Sequence, residues 1–287
     1  MKGIIVINGY SKTEGIKYQV KRLTEEFNKK NVDIEVKKTT ELLAYIENGE
    51  VKSSLQADFI VYLDKDIHIA LMLEKLGYRL FNNRESIEIC DDKIRTHIML
   101  SNEGVNMPTT ISSPLMYSDS EDNFLDRILE VLDYPIIVKE AHGSLGGQVY
   151  LCRDYNSLYK TREKLKFKPH LYQQFIHQSA GRDTRVIVIG GKVVAGYNRI
   201  STTDFRSNIE LGGKGEKVEL SKEYISLSER VADILNLDYC GIDILDDSKN
   251  PIICEVNSNA FFTGCEKITG KNIAKSYVDY IISEMGK

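Results

Sequence analysis

The sequence lacks tryptophan, contains only five prolines and has no low-complexity tract, so it does not have the composition of a disordered or fibrous chain. No apolar run approaches the roughly 20 residues of a membrane span. The opening residues MKGIIVINGY become polar too soon for a signal peptide and instead predict a first strand. With a net charge of −4, the chain also lacks the overall basic field that favours nucleic acid or anionic membranes.

The five cysteines and five histidines are scattered, without a CxxC or other zinc-like spacing. An odd number of cysteines without a framework pattern predicts reduced thiols rather than disulfides. Cys240 and Cys254 lie in apolar segments, where we expect them to be core thiols. The sequence therefore predicts a cytoplasmic protein without a metal site built from His or Cys.

Strand and helix signals alternate over the first 83 residues, which predicts an α/β domain with a parallel, doubly wound sheet. The expected elements are a strand at 3–7, helices at 14–29 and near 39–46, a strand at 58–63, a helix at 67–76 and a short strand ending at Phe81.

The rest of the chain predicts two lobes of α+β character, the second richer in antiparallel signals. The first should contain helices at 84–104 and 121–132, a strand at 135–139, a glycine-rich loop at 143–147, a strand near 149–152, a helix at 155–165 and a strand at 170–175. The second should contain strands at 184–189 and 192–198 around a Gly-Gly turn, a helix at 221–235, strands at 239–245 and 251–257 and a helix at 271–284. We expect domains at 1–83, 84–180 and 181–287.

Acidic side chains interrupt the last pair of predicted strands. Asp243 lies inside the apolar segment Gly-Ile-Asp-Ile-Leu, and Glu255 and Asn257 lie two residues apart on the next strand, so they project from one face. Burying like charges together is unfavourable unless a cation neutralises them. Hard oxygen ligands without His or Cys indicate Mg²⁺. The alternative is a hairpin with one charged, solvent-facing side.

A lysine and a cluster of glycines follow the predicted strand at 135–139. Lys139 ends this strand, and Gly143-Ser144-Leu145-Gly146-Gly147 comes four residues later. Backbone N–H groups of such a loop can approach phosphate oxygens because glycine has no Cβ. The order of residues fits neither a Walker P-loop nor a Rossmann fingerprint. A glycine hairpin beside a lysine that reaches solvent is the alternative interpretation.

Over residues 90–287 the chain resembles RimK-type ATP-grasp ligases, a family that includes glutamate ligases. The resemblance rests on the order of its motifs, which are Lys139, the glycine loop, Gln173-Gln174-Phe175-Ile176, Asp183-Thr184-Arg185, Asp204-Phe205-Arg206-Ser207-Asn208, Gly212-Gly213, Gly241 to Leu245 and Glu255-Val256-Asn257. It implies a three-domain ATP-grasp fold in which residues 1–83 form the doubly wound pre-ATP-grasp domain.

The resemblance also implies roles for individual residues. Nucleotide contacts would come from Lys93, Lys139, Gly143, Ser144, Gly146, Gly147, Gln174, Phe175, Ile176, Asp183 and Arg199. One or two Mg²⁺ ions, or Mn²⁺, would be held by Asp243, Glu255 and Asn257. Phosphate, the acceptor carboxylate and the oxyanion would be contacted by the catalytic set Arg185, Arg206 and Asn208. For each arginine, the alternative is a surface pair with a nearby acid, for which Asp183 or Asp204 could serve.

The implied activity is an ADP-forming ligation of a carboxylate and an amine through an acyl phosphate. The acceptor could be a metabolite, a peptide or a protein C-terminus, and a homodimer or tetramer would suit the family. After Asn257 the chain departs from the family's usual small residue and proline, so the added amino acid stays open. A small-molecule kinase using the same metal face and a non-catalytic ATP-binding regulatory module are the alternatives. No nucleic-acid or membrane partner is expected.

Overall fold

A computed structural model describes the chain over residues 1–119, 122–143, 146–208, 212–248 and 250–287. Its strands are β1 (Lys2–Ile7), β2 (Asp33–Lys38), β3 (Tyr45–Glu47), β4 (Glu50–Lys52), β5 (Phe59–Leu63), β6 (Arg79–Phe81), β7 (Thr110–Ser112), β8 (Ile136–Glu140), β9 (Val149–Cys152), β10 (His170–Gln174), β11 (Arg182–Ile189), β12 (Lys192–Ile200), β13 (Lys214–Lys217), β14 (Tyr239–Asp246) and β15 (Pro251–Asn257). Its α-helices are α1 (Glu14–Lys29), α2 (Ile67–Lys75), α3 (Arg84–Asp91), α4 (Lys93–Leu100), α5 (Phe124–Leu129), α6 (Tyr155–Leu165), α7 (Lys222–Ile234), α8 (Thr263–Thr269) and α9 (Ile273–Met285).

The first sheet is parallel, with the strand order β2-β1-β5-β6. Alternate residues of β1 face opposite cores: Ile5 packs in one cluster with Phe27 of α1, and Ile4 packs in another with Leu73 of α2. Helices therefore cover both faces, as the alternating sequence pattern predicts for a doubly wound sheet.

The prediction of a helix near residues 39–46 is wrong. The chain makes one short 3₁₀ turn at Thr39–Glu41 and then the hairpin β3–β4 around Asn48-Gly49. Both turn residues have positive φ, 53° and 82°, as the tight turn of a two-residue hairpin requires. The Asn-Gly pair carried this signal in the sequence.

The second sheet is antiparallel, with the order β7-β10-β8-β9. The helix expected over 84–104 is two helices, because Asp92 takes an extended conformation between them. Its carboxylate accepts hydrogen bonds from the N–H groups of Ile94 and Arg95 and so begins α4 at Lys93. This start places Lys93 at the end of α4 that faces the second sheet, where its N–H donates to the carbonyl of Ala141 at 3.0 Å.

The third sheet is antiparallel and runs β13-β12-β11-β14-β15. The expected hairpin around Gly190 and Gly191 is present, and both glycines have positive φ. A register shift between Asp243 and Ile244 marks a β-bulge, which leaves Cys254 without a partner across the pair β14–β15.

The third sheet and the first share a core. Tyr277 and Val278 of α9 pack in the same cluster as Leu23 of α1 and Ile187 of β11. The C-terminal helices thus fix the first sheet against the third. None of the helices in the described segments is long and apolar enough to cross a membrane.

Candidate active site

The acidic residues predicted from the sequence face each other across the last strand pair. Asp243 of β14 lies directly opposite Glu255 of β15, and Gly241 lies opposite Asn257. Because directly opposed residues of an antiparallel pair project from the same face, both carboxylates lie on one side of the sheet.

Two arginines on the neighbouring strands bind the carboxylate of Asp243. Arg185, opposite Asp243 on β11, donates through Nε and Nη2, the latter at 2.7 Å. Arg199 of β12 lies 2.8 Å from Asp243 and donates to both oxygens of Asp183, at 2.7 and 2.5 Å. Burial acts to raise the pKa of Asp243, but the two guanidinium groups outweigh it and hold that pKa below its ordinary value.

Two lysines approach the same face from the second sheet and from α4. Lys139 Nζ lies 3.6 Å from the sulfur of Cys254, next to Glu255. Lys93 Nζ lies 3.6 Å from the Glu255 carboxylate and donates to the carbonyl of Gly143 at 2.8 Å. Both lysines are more than nine-tenths buried, so four cations and the three carboxylates of Asp183, Asp243 and Glu255 share a poorly hydrated space.

The glycine loop is joined to the third sheet through Arg206. Arg206 Nη1 donates to the carbonyl of Gly146 at 2.6 Å, while Nε and Nη2 hold Asp204 at 3.0 and 2.7 Å. Gly143 and Gly146 have positive φ, 144° and 73°, so these two positions need glycine. Arg206 thus joins Gly146 to the segment that follows β12.

Most of these groups line one cleft between the second and third sheets. Of the residues expected from the sequence, it is lined by Lys93, Lys139, Gly143, Gly146, Gln174, Phe175, Ile176, Asp183, Arg199, Arg206, Asn208, Asp243 and Glu255. Arg185, Gly147 and Asn257 are not among its lining residues. Ser144 lies outside the described residues.

Arg185 lies behind Asp243 rather than in the cleft. Its side chain passes over Gly241, where a Cβ would come within 3.1 Å of the arginine Cδ. Asn257 lies beside this contact on β15, and its Nδ2 atom is buried without a hydrogen-bond partner. Gly241 therefore provides the space that lets Arg185 reach Asp243.

Sequence reasoning missed several residues of the cleft. Cys254 lines it and is not a core thiol, because the bulge in β15 turns this residue toward Lys139. Burial keeps the pKa of Cys254 above its ordinary value despite the lysine, so the thiol stays protonated. Gln173 and Phe205 also line the cleft, and both stood in the recognised motifs without an assigned role.

A buried histidine supports the lysine on α4. Gln173 Nε2 lies 3.0 Å from His97 Nε2, and His97 Nδ1 lies 2.8 Å from the carbonyl of Lys93. Since the amide donates to Nε2, the proton of His97 belongs on Nδ1, which donates to Lys93. Burial and then the charge of Lys139 lower the pKa of His97 to about 4, so the ring is neutral at physiological pH.

The acidic side chains that line the cleft are Asp183, Asp243 and Glu255. Among the described residues, no group of three or more His, Cys, Asp or Glu side chains is placed to hold one. The facing carboxylates of Asp243 and Glu255 supply oxygen ligands that suit Mg²⁺, which is usually held by one or two carboxylates, waters and substrate phosphates.

Comparisons with known proteins agree with this architecture. The sequence model of the RimK-like ATP-grasp domain matches residues 90–281. The chain is 38% identical over 228 residues to β-citrylglutamate synthase B of Homo sapiens, covering 78% of this chain and 58% of that protein. It is 34% identical over 211 residues to a probable alpha-L-glutamate ligase of Halorhodospira halophila, covering 72% of this chain and 68% of that protein.

The fold is also similar to that of the D-alanine–D-alanine ligase of Bacillus anthracis in its complex with ATP. The TM-score is 0.77 at 20% identity, over 99% of this chain and 97% of the other. The chain spans little more than half the length of the human synthase, so the likeness to that protein is a likeness over part of it. Since the domain match extends over about two thirds of the sequence, the chain belongs to the RimK-like ATP-grasp family.

Proposed function

We propose that this protein is an ADP-forming ligase that joins a carboxylate to an amine through an acyl phosphate. Membership of the ATP-grasp family and the names of the relatives, a citrylglutamate synthase and a glutamate ligase, support amide-bond formation with ATP. The observation that carries the proposal is that Asp243 and Glu255 face each other in one cleft with Lys93 and Lys139.

ATP is expected to bind between the second and third sheets. The segment Gln174–Ile176, which links the two sheets, would contact the adenine through its backbone, and Asp183 would contact the ribose. Lys93, Lys139 and the glycine loop at 143–147 would bind the phosphates, because two buried ammonium groups beside backbone N–H groups suit several negative charges.

Asp243, Glu255 and Asn257 would hold Mg²⁺, which would neutralise phosphate charge when bound. Glu255 is the more available carboxylate, since its side chain is 26% exposed and its nearest cation is 3.6 Å away. Both oxygens of Asp243 already accept from arginine, so Arg185 orients this carboxylate from behind.

The chain's own residues would position the reacting groups. A substrate carboxylate oxygen attacks the γ-phosphorus, the bond to ADP breaks, and the amine nitrogen then attacks the acyl carbon as phosphate leaves and the amine loses its proton. Arg206 and Asn208, which line the cleft, would stabilise the developing oxyanion, and the glycine loop held by Arg206 would exclude water.

The proposal extends to the organisation of the protein. Domain boundaries at 83/84 and 180/181 would place one main sheet in each segment. The substrates would be an amino acid or other amine and a carboxylate on a metabolite, peptide or protein, in the cytoplasm, with a homodimer or tetramer as the assembly.

The test is a pairwise screen of the twenty amino acids for ADP release, with mass spectrometry of the products. A ligase gives ADP release that depends on the amine and an amide product. Phosphate retained on one substrate would identify a kinase instead, and ATP binding without turnover under all pairs would identify a regulatory module.

A further inference from the structure

A second polar site lies at the carboxyl ends of β1 and β5, outside the ATP cleft. In the first sheet β1 has β2 on one side and β5 on the other, so the chain connections diverge at the β1–β5 boundary. Open α/β sheets bind ligands in the crevice at such a point. Asn8 directly follows β1 and Asp64 directly follows β5, and the Asn8 amide donates to both Asp64 oxygens at 3.1 and 3.2 Å.

Asp64 is a buried carboxylate without a cation. It is 8% exposed, and it accepts only from the Asn8 amide and from backbone N–H groups, that of Lys65 at 2.7 Å. No Lys, Arg or His nitrogen in the described segments lies within 4.0 Å of it. The neighbouring Lys65 instead binds Asp91 at 2.5 Å. Burial raises the pKa of Asp64 above its ordinary value, as an uncompensated charge requires.

An unpartnered amide oxygen belongs to a residue that is hydrogen-bonded to the end of β5. Asn259, two residues after Asn257 on the segment that leaves the acid pair, donates from Nδ2 to the carbonyl of Leu63 at 2.9 Å. Its Oδ1 atom is buried and has no hydrogen-bond partner. Leu63 immediately precedes Asp64, so the amide of Asn259 reaches the chain one residue before this carboxylate.

We propose that Asp64 and Asn259 bind the amino group of the amine substrate. A primary ammonium supplies three N–H donors and one positive charge, which together satisfy the carboxylate and the orphaned oxygen. A carboxylate or phosphate group is repelled from the same place. Asn8 is a positioning residue, since its amide fixes the orientation of the Asp64 carboxylate. This assignment rests on the proposed ligase activity, and it names the site of one of the two substrates.

The unfolding temperature of Asp64 variants distinguishes a carboxylate kept for ligand binding from one that stabilises the fold. This measurement does not depend on enzymatic activity. Asp64→Asn removes a buried, uncompensated charge, so the unfolding temperature of the variant is expected to equal or exceed that of the wild type at neutral pH. The difference shrinks as the pH falls toward the raised pKa of Asp64, where the wild-type carboxyl is protonated. Asp58→Asn is the matched control, because Asp58 caps the opposite end of the same sheet at the surface.

The second experiment measures the KM for the amine substrate. With the amino-acid pair that the screen identifies, Asp64→Asn raises the KM for the amine about tenfold or more and leaves the KM for ATP unchanged. Hydroxylamine, which is largely uncharged at neutral pH, traps the acyl phosphate as a hydroxamate, and the variant forms it at the wild-type rate. Asp58→Asn behaves as the wild type in both assays.

An unchanged amine KM in Asp64→Asn, or a clear fall in its unfolding temperature, overturns the assignment. If the wild type gives no amine-dependent ADP release, the ligase proposal fails instead. The unfolding temperatures then decide whether Asp64 is an uncompensated carboxylate, and a destabilised variant contradicts a binding role.

Discussion

The two facing carboxylates of the cleft have different surroundings, which decides how each can be probed. Asp243 is the shared partner of two buried arginines, and removing one member of a buried ion pair costs about 3–5 kcal/mol. Loss of activity in Asp243→Ala would therefore combine unfolding with lost chemistry. Glu255 is a quarter exposed and has Lys93 only at 3.6 Å, so Glu255→Gln isolates the chemistry.

At the residue scale, His97 makes stability depend on pH. Its folded-state pKa of about 4 lies below the ordinary 6.5, so the unfolded chain binds more protons between these values. Stability is therefore fully present above about pH 6.5 and falls as the pH drops toward 4, by roughly 3 kcal/mol from this residue. Urea titrations across this range should show that slope in the wild type and not in His97→Gln. Parallel curves for the two proteins would contradict the neutral, buried assignment.

The sequence predicted many of the residues that line the cleft. It did not predict which of their side chains bind each other. Lys93, Lys139 and the acid pair came from motif order and strand alternation, which operate within short segments. The binding of Arg185 to Asp243 depends on the register of β11 against β14. The bulge that exposes Cys254 depends on the register of β14 against β15. Such contacts join residues far apart in sequence, so spacing alone could not assign them.

At the scale of elements, the break between α3 and α4 determines where Lys93 lies. Asp92 caps α4, and that helix begins with Lys93, whose ammonium lies between the glycine loop and Glu255. The periodic pattern over 84–104 concealed this break because both helices bury residues on a similar stripe. The Asp-Asp pair before Lys93 was the available signal.

Asp92→Ala is expected to lose about 1 kcal/mol of stability and to raise the KM for ATP several-fold, because an uncapped first turn no longer fixes Lys93. Asp154→Ala is the control, since Asp154 caps α6 with the same chemistry in the second lobe and does not line the cleft. Both variants should lose similar stability in thermal unfolding. An unchanged KM for ATP in Asp92→Ala would show that α4 does not position the lysine.

At the scale of the whole molecule, the buried side chain of Asn82 joins the first sheet to the third. The amide of Asn82 donates to the carbonyls of Tyr239 and Ser258, both at 2.8 Å, and accepts from the N–H groups of Asp238 and Tyr239. Arg79 adds a bidentate ion pair with Asp238. The alternation of strands and helices predicted three lobes but not this contact between the first and third sheets. A local sequence pattern does not identify the distant residues that Asn82 binds.

Asn82→Ala removes four buried hydrogen bonds and is expected to lower the free energy of unfolding by about 3–4 kcal/mol. Asn28→Ala, at an exposed position of helix α1, is a control for asparagine loss outside the joint. Urea denaturation provides both values. A loss of under about 1 kcal/mol in Asn82→Ala would mean that the Asn82 hydrogen bonds do not hold the first sheet to the third.

The central claim is that Glu255 and Asp243 act on ATP phosphates in the cleft, and amine-dependent ADP release by Glu255→Gln tests it most directly. We expect the variant to fold as the wild type does and to release ADP about a hundredfold more slowly. Glu103→Gln, which changes an exposed glutamate, should keep the wild-type rate. ADP release by Glu255→Gln at the wild-type rate would contradict the account.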